Sequence, residues 1–441
     1  MKKIFSAASF CLIGCLFTNG AGAADLLSAY HAAVTYDAQF AAARAALDAG
    51  REKLPQGRAG LLPSIGLTAN TAWNDDSRTS RTTGVETTTK YNSNGWTASL
   101  SQPLFRWQNW VAYTQSELAV SLAEAQFVQA RQDLILRVAQ AYFEVLLAQD
   151  ALATAQAQKT AIAEQLESAK RSFEVGTTTI TDTNEAQSRY DLIIAQEIAA
   201  QNDLAVKQET LRTIIGKETG ILQNIRPGAA LISPQPNDIN AWVTMAETAN
   251  PGVHMAQAAF EIAARDIEKQ RAGHYPTLDL VASHNKNSLS NSPVFGGSDS
   301  RSNSIGLQLS IPVFSGGATA SRDREAVALK EKAASDLENT RRQATLGARQ
   351  AYLGVTSGLA QVKAFEAALI SSQSSLDSNK LGYDVGVRIN IDVLNAQSQL
   401  YATRQSLSKA RLDTLLALLR LKSAAGALTE QDVQAINALL H

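Results

Sequence analysis

Seventy-two consecutive residues, Leu104 to Val175, contain neither glycine nor proline. At about 1.5 Å per residue, one unbroken helix of that length reaches about 100 Å, far beyond an ordinary helix of about a dozen residues. Such a rod needs parallel neighbours along its whole length. Leu118, Leu122, Leu134, Val138, Tyr142 and Leu146 supply an apolar seam, and alanine fills much of the rest. Small side chains let helices approach closely, as a packed coiled-coil wall requires. The pattern predicts a second rod over about 318–381 and shorter helices over about 182–215, 253–271, 391–424 and 430–440, with a further helix at the start of the mature chain.

Both rods are fed by segments of period two. Ile65, Leu67, Ala69, Thr71 and Trp73 fall on one side, and Ser64, Gly66, Thr68 and Asn70 on the other, which is the strand signature. Strands are expected at about 64–74, 96–104, 277–285 and 304–312. About 9–11 residues is the length that crosses a bilayer when tilted. Trp73, Trp96, Trp107 and Trp110 lie where an interfacial aromatic belt would sit. The polar stretches between the strands, 75–95 and 285–303, read as solvated loops. A half-buried sheet packed on helices is the alternative, but it leaves the rods and the polar stretches unexplained. Four strands cannot close in hydrocarbon, where each unpaired backbone group costs several kcal/mol, and the smallest membrane barrels have eight. Several copies must therefore share one barrel, and the helices continue that cylinder.

The chain states its plan twice. "FEVGTTTITDTNEAQSRY" begins at Phe173 and "YDVGVRINIDVLNAQSQLY" at Tyr383, 210 residues later. Tyr142 and Tyr352 keep the same spacing. The order helix, strand, loop, strand, long helix, turn, helix occurs over 24–228 and again over 229–441. At the two turns Gly176 and Gly386 suit helix C-caps, and Asp182 and Asp392 suit N-caps.

Residues 1–23 read as a signal peptide: Lys2 and Lys3, an apolar stretch from Ile4 to Phe17, and small residues permitting cleavage after Ala23. "LIGC" at Leu12–Cys15 offers the rival reading of a lipoprotein box with an acylated Cys15. Both cysteines, Cys11 and Cys15, lie in this segment, so the remainder has no disulfide framework. Without Lys2 and Lys3 the formal charge is 38 − 41 = −3, which argues against nucleic acid. The five histidines show no metal spacing. No phosphate loop or nucleophile elbow occurs. The residues point to no cofactor, no metal and no enzyme.

Five stretches carry a resemblance to a known family: "GHYPTLDL", "QAYFEVLLAQ", "VGTTTITD", "SSQSSLDSNKLGYDVGVRINIDVL" and "SAAGALTEQD". In order and position they resemble the TolC family of outer-membrane exit ducts, over essentially the whole mature chain. The resemblance implies a homotrimer with a shared twelve-stranded barrel in outer-membrane lipid, four strands per chain, continued by a periplasmic helical coiled-coil barrel. It implies export with a periplasmic adaptor protein and an inner-membrane pump, an RND or ABC transporter, with the cargo open between drugs and secreted protein. It also implies residue roles. Tyr383 and Arg388 would lock to Thr181 and Asp182 of the other tip or of a neighbouring chain. Asp392 would line the pore constriction, with Asn395 where a second carboxylate is expected. Val175–Gly176 and Val385–Gly386 would meet the adaptor, or serve as turns only. A trimeric structural or adhesive outer-membrane protein with a coiled-coil stalk is the competing class, but adhesins anchor at one terminus, whereas these strands are interleaved between helices; a soluble periplasmic coiled-coil scaffold is a third.

Overall fold

The computed structural model describes residues 25–218, 220, 222–226, 228–292 and 296–440; the expected signal peptide and Cys15 lie outside them. The elements run α1 (Leu26–Tyr36), α2 (Ala38–Arg51), α3 (Lys53–Ala59), β1 (Ser64–Thr79), β2 (Glu86–Phe105), α4 (Trp107–Glu174) and α5 (Ile180–Ile215). A second round follows: α6 (Ile239–Ala249), α7 (Pro251–Arg271), β3 (Thr277–Ser292), β4 (Gly296–Ser310), α8 (Ala318–Asp384), α9 (Asn390–Ala424) and α10 (Glu430–Asn437).

The first helix is three. Asp37 is the C-cap of α1 and the N-cap of α2, and its carboxylate accepts from the Phe40 N–H at 2.7 Å. The helix then passes through Pro55, which the first turn of α3 tolerates, and through Gly57. A Cβ at Gly57 would come within 2.3 Å of Ser116 Oγ, so this glycine lets α3 lie directly on α4. Asp37 also meets Arg137 of α4 through two hydrogen bonds of 2.9 and 3.0 Å. The core lies below this point, where Leu26, Tyr30, Leu134, Ile135, Tyr142, Leu146, Leu412, Leu415 and Leu419 pack together. The Tyr142 hydroxyl donates to the Gln223 carbonyl at 2.9 Å, and burial of its ring raises the phenol pKa well above its ordinary value.

The sheet is antiparallel in the order β1-β2-β3-β4. Ile65 stands opposite Leu100, and Ala282 opposite Ile305. On the reverse face Gly66 meets Ser99, and Ser283 meets Ser304 with their hydroxyls 2.8 Å apart. One face is thus apolar and the other small and polar, as a wall between lipid and water demands.

The expected loops 75–95 and 285–303 are largely strand. β1 continues to Thr79 and β2 begins at Glu86, with unbroken pairing from Ser64–Ser101 to Thr79–Glu86. A sheet standing in water on both sides needs no apolar alternation, because its ladder satisfies the backbone and threonine favours extended geometry. The proline-rich joint 216–250 also holds a helix that periodicity missed, α6, capped by Asp238 through the Asn240 N–H at 2.9 Å. Among the described residues no helix is long and apolar enough to cross a membrane.

α4 with α5, and α8 with α9, form two helical hairpins that leave the sheet and turn at the far end. At about 1.5 Å per residue the 68 residues of α4 and the 67 of α8 place those turns about 100 Å from the strands.

Candidate functional site at the hairpin tips

Both rods stop in the same way. Val175 is the C-cap of α4, and Gly176 follows at φ +75°. The Gly176 N–H donates to Phe173 O at 3.0 Å and the Thr177 N–H to Ser172 O at 2.9 Å. In the second copy Gly386 at φ +76° donates to Tyr383 O at 3.0 Å, and Val387 to Gly382 O at 2.8 Å. This six-to-one plus five-to-two pair is the Schellman arrangement, which requires a left-handed residue just past the cap. A Cβ at either glycine would meet nothing within 4 Å; the requirement is backbone conformation, not space.

The tips are apolar and open to solvent. Val175 is 74% exposed, Val385 66% and Val387 78%.

The two returning helices begin differently. Thr179 caps α5 and, with Asp182, forms a capping box. Asp182 is therefore the third helical residue rather than the N-cap, a correction to the sequence expectation. Its Oδ2 accepts from Thr178 Oγ1 at 2.5 Å, Thr179 Oγ1 at 2.8 Å and the Thr179 N–H at 3.1 Å. The Thr178 hydroxyl first, and then those from Thr179, hold its carboxyl below the usual range. In the second copy Ile389 occupies the cap and offers no side-chain hydrogen bond. Asp392 again stands at the third position, so it is not the N-cap either. Its partner is Arg388 of the same turn, with Nη1 3.6 Å from Oδ2.

Within one chain the expected lock residues are therefore not joined. Arg388 pairs with Asp392, not Asp182. Tyr383 packs against the cluster of Leu376, Val393 and Leu400, and Thr181 is exposed. Short helix-turn partners win because they are reached without bringing the two tips together.

Other residues tie the hairpins. Asn390, only 1% exposed, receives Gln165 Nε2 at 2.5 Å and donates to the Asp182 carbonyl at 3.4 Å. Arg189 Nη2 donates to Asn395 Oδ1 at 3.0 Å. Leu394 inserts beside Ala155, Ile162 and Ile193. Periodicity gave no reason to pick Gln165 or Arg189. A signal for Asn390 did exist: it is the lone amide between Ile389 and Ile391, where the first copy has Ile180. Between the hairpins above these ties lies a cleft of about 430 Å³, lined by Thr154, Gln158, Arg189, Gln196, Tyr401 and Gln405. Among the described residues no group of His, Cys, Asp or Glu is arranged to hold a metal.

Three comparisons bear on this arrangement. The family model for outer membrane efflux protein matches residues 29–217 and 242–427. The chain is 34% identical over 440 residues to outer membrane protein TolC of Vibrio cholerae, covering 99% of this chain and 98% of that protein. It is 34% identical to the alkaline protease secretion protein AprF of Pseudomonas aeruginosa, covering 96% and 89% respectively. In fold it is similar to the Campylobacter jejuni CmeC outer membrane channel, with TM-score 0.79 and 16% identity over 100% of this chain and 97% of that one.

Proposed function

From the premise that the chain belongs to the outer membrane efflux protein family, we propose how this copy of the family's outer-membrane exit duct for efflux and type I secretion is assembled and closed. Three copies join edge to edge, β4 of one to β1 of the next, into a barrel of twelve strands. The observation that carries this reading is the sheet itself: among the described residues β1 and β4 each have only one neighbouring strand, and neither edge is tolerable in lipid. The polar face of Ser99, Ser283 and Ser304 lines the water-filled lumen, and the helical hairpins prolong it through the periplasm.

The tips close the duct. Arg388 and Tyr383 of one copy reach Asp182 and Thr181 of a neighbour. All three local hydrogen bonds on Asp182 fall on Oδ2, so the capping box is compatible with a neighbour's guanidinium on Oδ1. A charge-assisted bond of this kind is the stronger sort. Asp392 and Asn395 mark the constriction. Val175, Gly176, Val385 and Gly386 present the apolar surface for a periplasmic adaptor, through which an RND or ABC pump delivers cargo. The chain moves substrate without transforming it.

Outer-membrane fractions solubilised in detergent should contain a trimer that survives sodium dodecyl sulfate below its melting temperature. A monomer stable in water without detergent would overturn the reading. Deleting the gene while assaying both drug susceptibility and secreted proteins assigns the cargo.

A further inference from the structure

We propose that Lys286 and Arg301 form a binding site for the phosphate group of an outer-leaflet glycolipid. The two residues are direct partners across β3 and β4, and Lys286 is also the partner of Trp96 on β2. Like charges directly opposite one another destabilise a strand pair. Neither side chain makes an ion pair or a hydrogen bond among the described residues. The cations within the strands of the first hairpin are paired: Lys90 lies 3.3 Å from Asp75, and Arg78 3.2 Å from Asp76. The acid nearest the pair along β4 on the same face, Asp299, accepts from Ser288 Oγ at 2.6 Å.

The row has a definite depth. Stepping by twos toward the helices, the same face carries His284 with Asn303, Ala282 with Ile305, Leu280 with Leu307, and Leu278 with Leu309. Leu67 and Ile65 continue the apolar surface on β1. Eight residues separate Leu278 from Lys286. At about 3.3 Å each and a strand tilt of about 40°, that is about 20 Å along the membrane normal, close to the apolar band of about 25 Å on such barrels. The cations therefore stand at the outer rim of the band, where their aliphatic stems lie on apolar surface and their heads reach the interface. Trp96 flanks them, its ring 4.9 Å from that of His284, at the level favoured by interfacial aromatics.

An occupant of this place must be anionic at its head and apolar below it. Guanidinium and ammonium groups side by side suit a phosphate, the guanidinium offering two parallel donors. In the closed barrel the pair occurs once per chain, so a trimer carries three such sites around its outer rim. Bound lipid would also relieve the repulsion between the paired cations.

The test uses the purified full-length trimer in a neutral maltoside detergent, read by native mass spectrometry. The probes are bisphosphorylated lipid A, its dephosphorylated form and inorganic phosphate. The wild type should retain bisphosphorylated lipid A, and Lys286→Gln with Arg301→Gln should weaken that binding at least about tenfold. The charge-preserving pair Lys286→Arg with Arg301→Lys should retain it. Equal lipid binding by the Gln variant overturns the proposal. So does dephosphorylated lipid that binds the wild type as tightly, or inorganic phosphate that competes at lipid-like concentration. Loss of binding in the charge-preserving pair would trace the effect to strand packing and overturn it as well.

Discussion

Arg189 of α5 donates to Asn395 of α9 at 3.0 Å, joining the two hairpins of one chain beside the expected constriction. The neutral amide therefore sits next to a cation, and a constriction lined by Asn395 would differ from one lined by two carboxylates per chain in two ways: one negative charge is replaced by an amide, and one positive charge stands beside it. Trivalent cations should block the channel weakly. Asn395→Asp alone should change block by less than about threefold, because Arg189 would pair with the new carboxylate. Asn395→Asp with Arg189→Gln should strengthen block at least about tenfold, as an unneutralised charge in a narrow, poorly solvated passage acts strongly. Single-channel conductance against added hexamminecobalt checks both, and strong block of the wild type would show that Asn395 does not face the passage.

Arg388→Ser with Tyr383→Phe should raise conductance severalfold in a planar bilayer. The local Arg388–Asp392 pair is loose at 3.6 Å, and the arginine is more than half exposed, so its loss should cost little stability. An increase would then report release of the tip. Unchanged conductance would place the lock at other residues, with Gln165 and Asn390 the next to replace.

The Thr179–Asp182 capping box should set the pH response of the first tip. Asp182 titrates below its ordinary 3.8 because the Thr178 and Thr179 hydroxyls stabilise the carboxylate. A depressed pKa contributes stability above the ordinary value and loses it as pH falls through the folded value. Amide exchange at residues 178–184 should stay slow at pH 4 and accelerate only in stronger acid. Thr179→Ala should remove about 1 kcal/mol of helix-start stability and bring the acceleration to higher pH. An exchange profile the same in wild type and variant would remove the capping box from this account.

Asp37 and Arg137 should be worth more to the fold than the tip pairs are. Asp37 is 6% exposed, caps α2, and its carboxyl is held low by the Arg137 guanidinium. Asp37→Ala removes the α2 cap and leaves the half-buried Arg137 without its partner, and should cost about 2–3 kcal/mol, seen as earlier thermal dissociation of the trimer. Replacing both residues, Asp37→Asn with Arg137→Met, should cost less than the single change.

Val175→Asp with Val385→Asp should abolish export while leaving the trimer and its bilayer conductance intact. Both valines are exposed and remote from the core, so a loss of function without a loss of assembly would isolate docking. Normal export from the double variant would reduce these residues to turn formers.

The rods, the tips and the twofold plan were legible because each rests on a strong local signal. A helix without glycine or proline, a glycine at a fixed distance, and strict alternation beside lipid all leave marks in one dimension. The outer halves of the strands were not legible, because Asp75–Thr79 and Glu86–Gly95 are polar on both faces and carry no pattern beyond their pairing. α6 was hidden in a short stretch between prolines, where composition outweighs periodicity. Within one chain Arg388 pairs with Asp392 rather than with Asp182. Whether Arg388 meets Asp392 four residues away or an acid in another chain depends on distances that sequence does not contain, and the cap at Thr179 precedes the more conspicuous Asp182. Arg189 and Asn395 lie on different hairpins, 206 residues apart, with nothing local to connect them.

The two open margins of the sheet, β1 and β4, carry a genetic consequence. A ring with three places has no partial form, so a subunit with one damaged margin spoils every ring that it enters. A cell making sound and damaged subunits in equal amounts would build only about one wholly sound ring in eight if they mix at random. Harm of that kind is dominant, and doubling the dose of the sound gene would only dilute it.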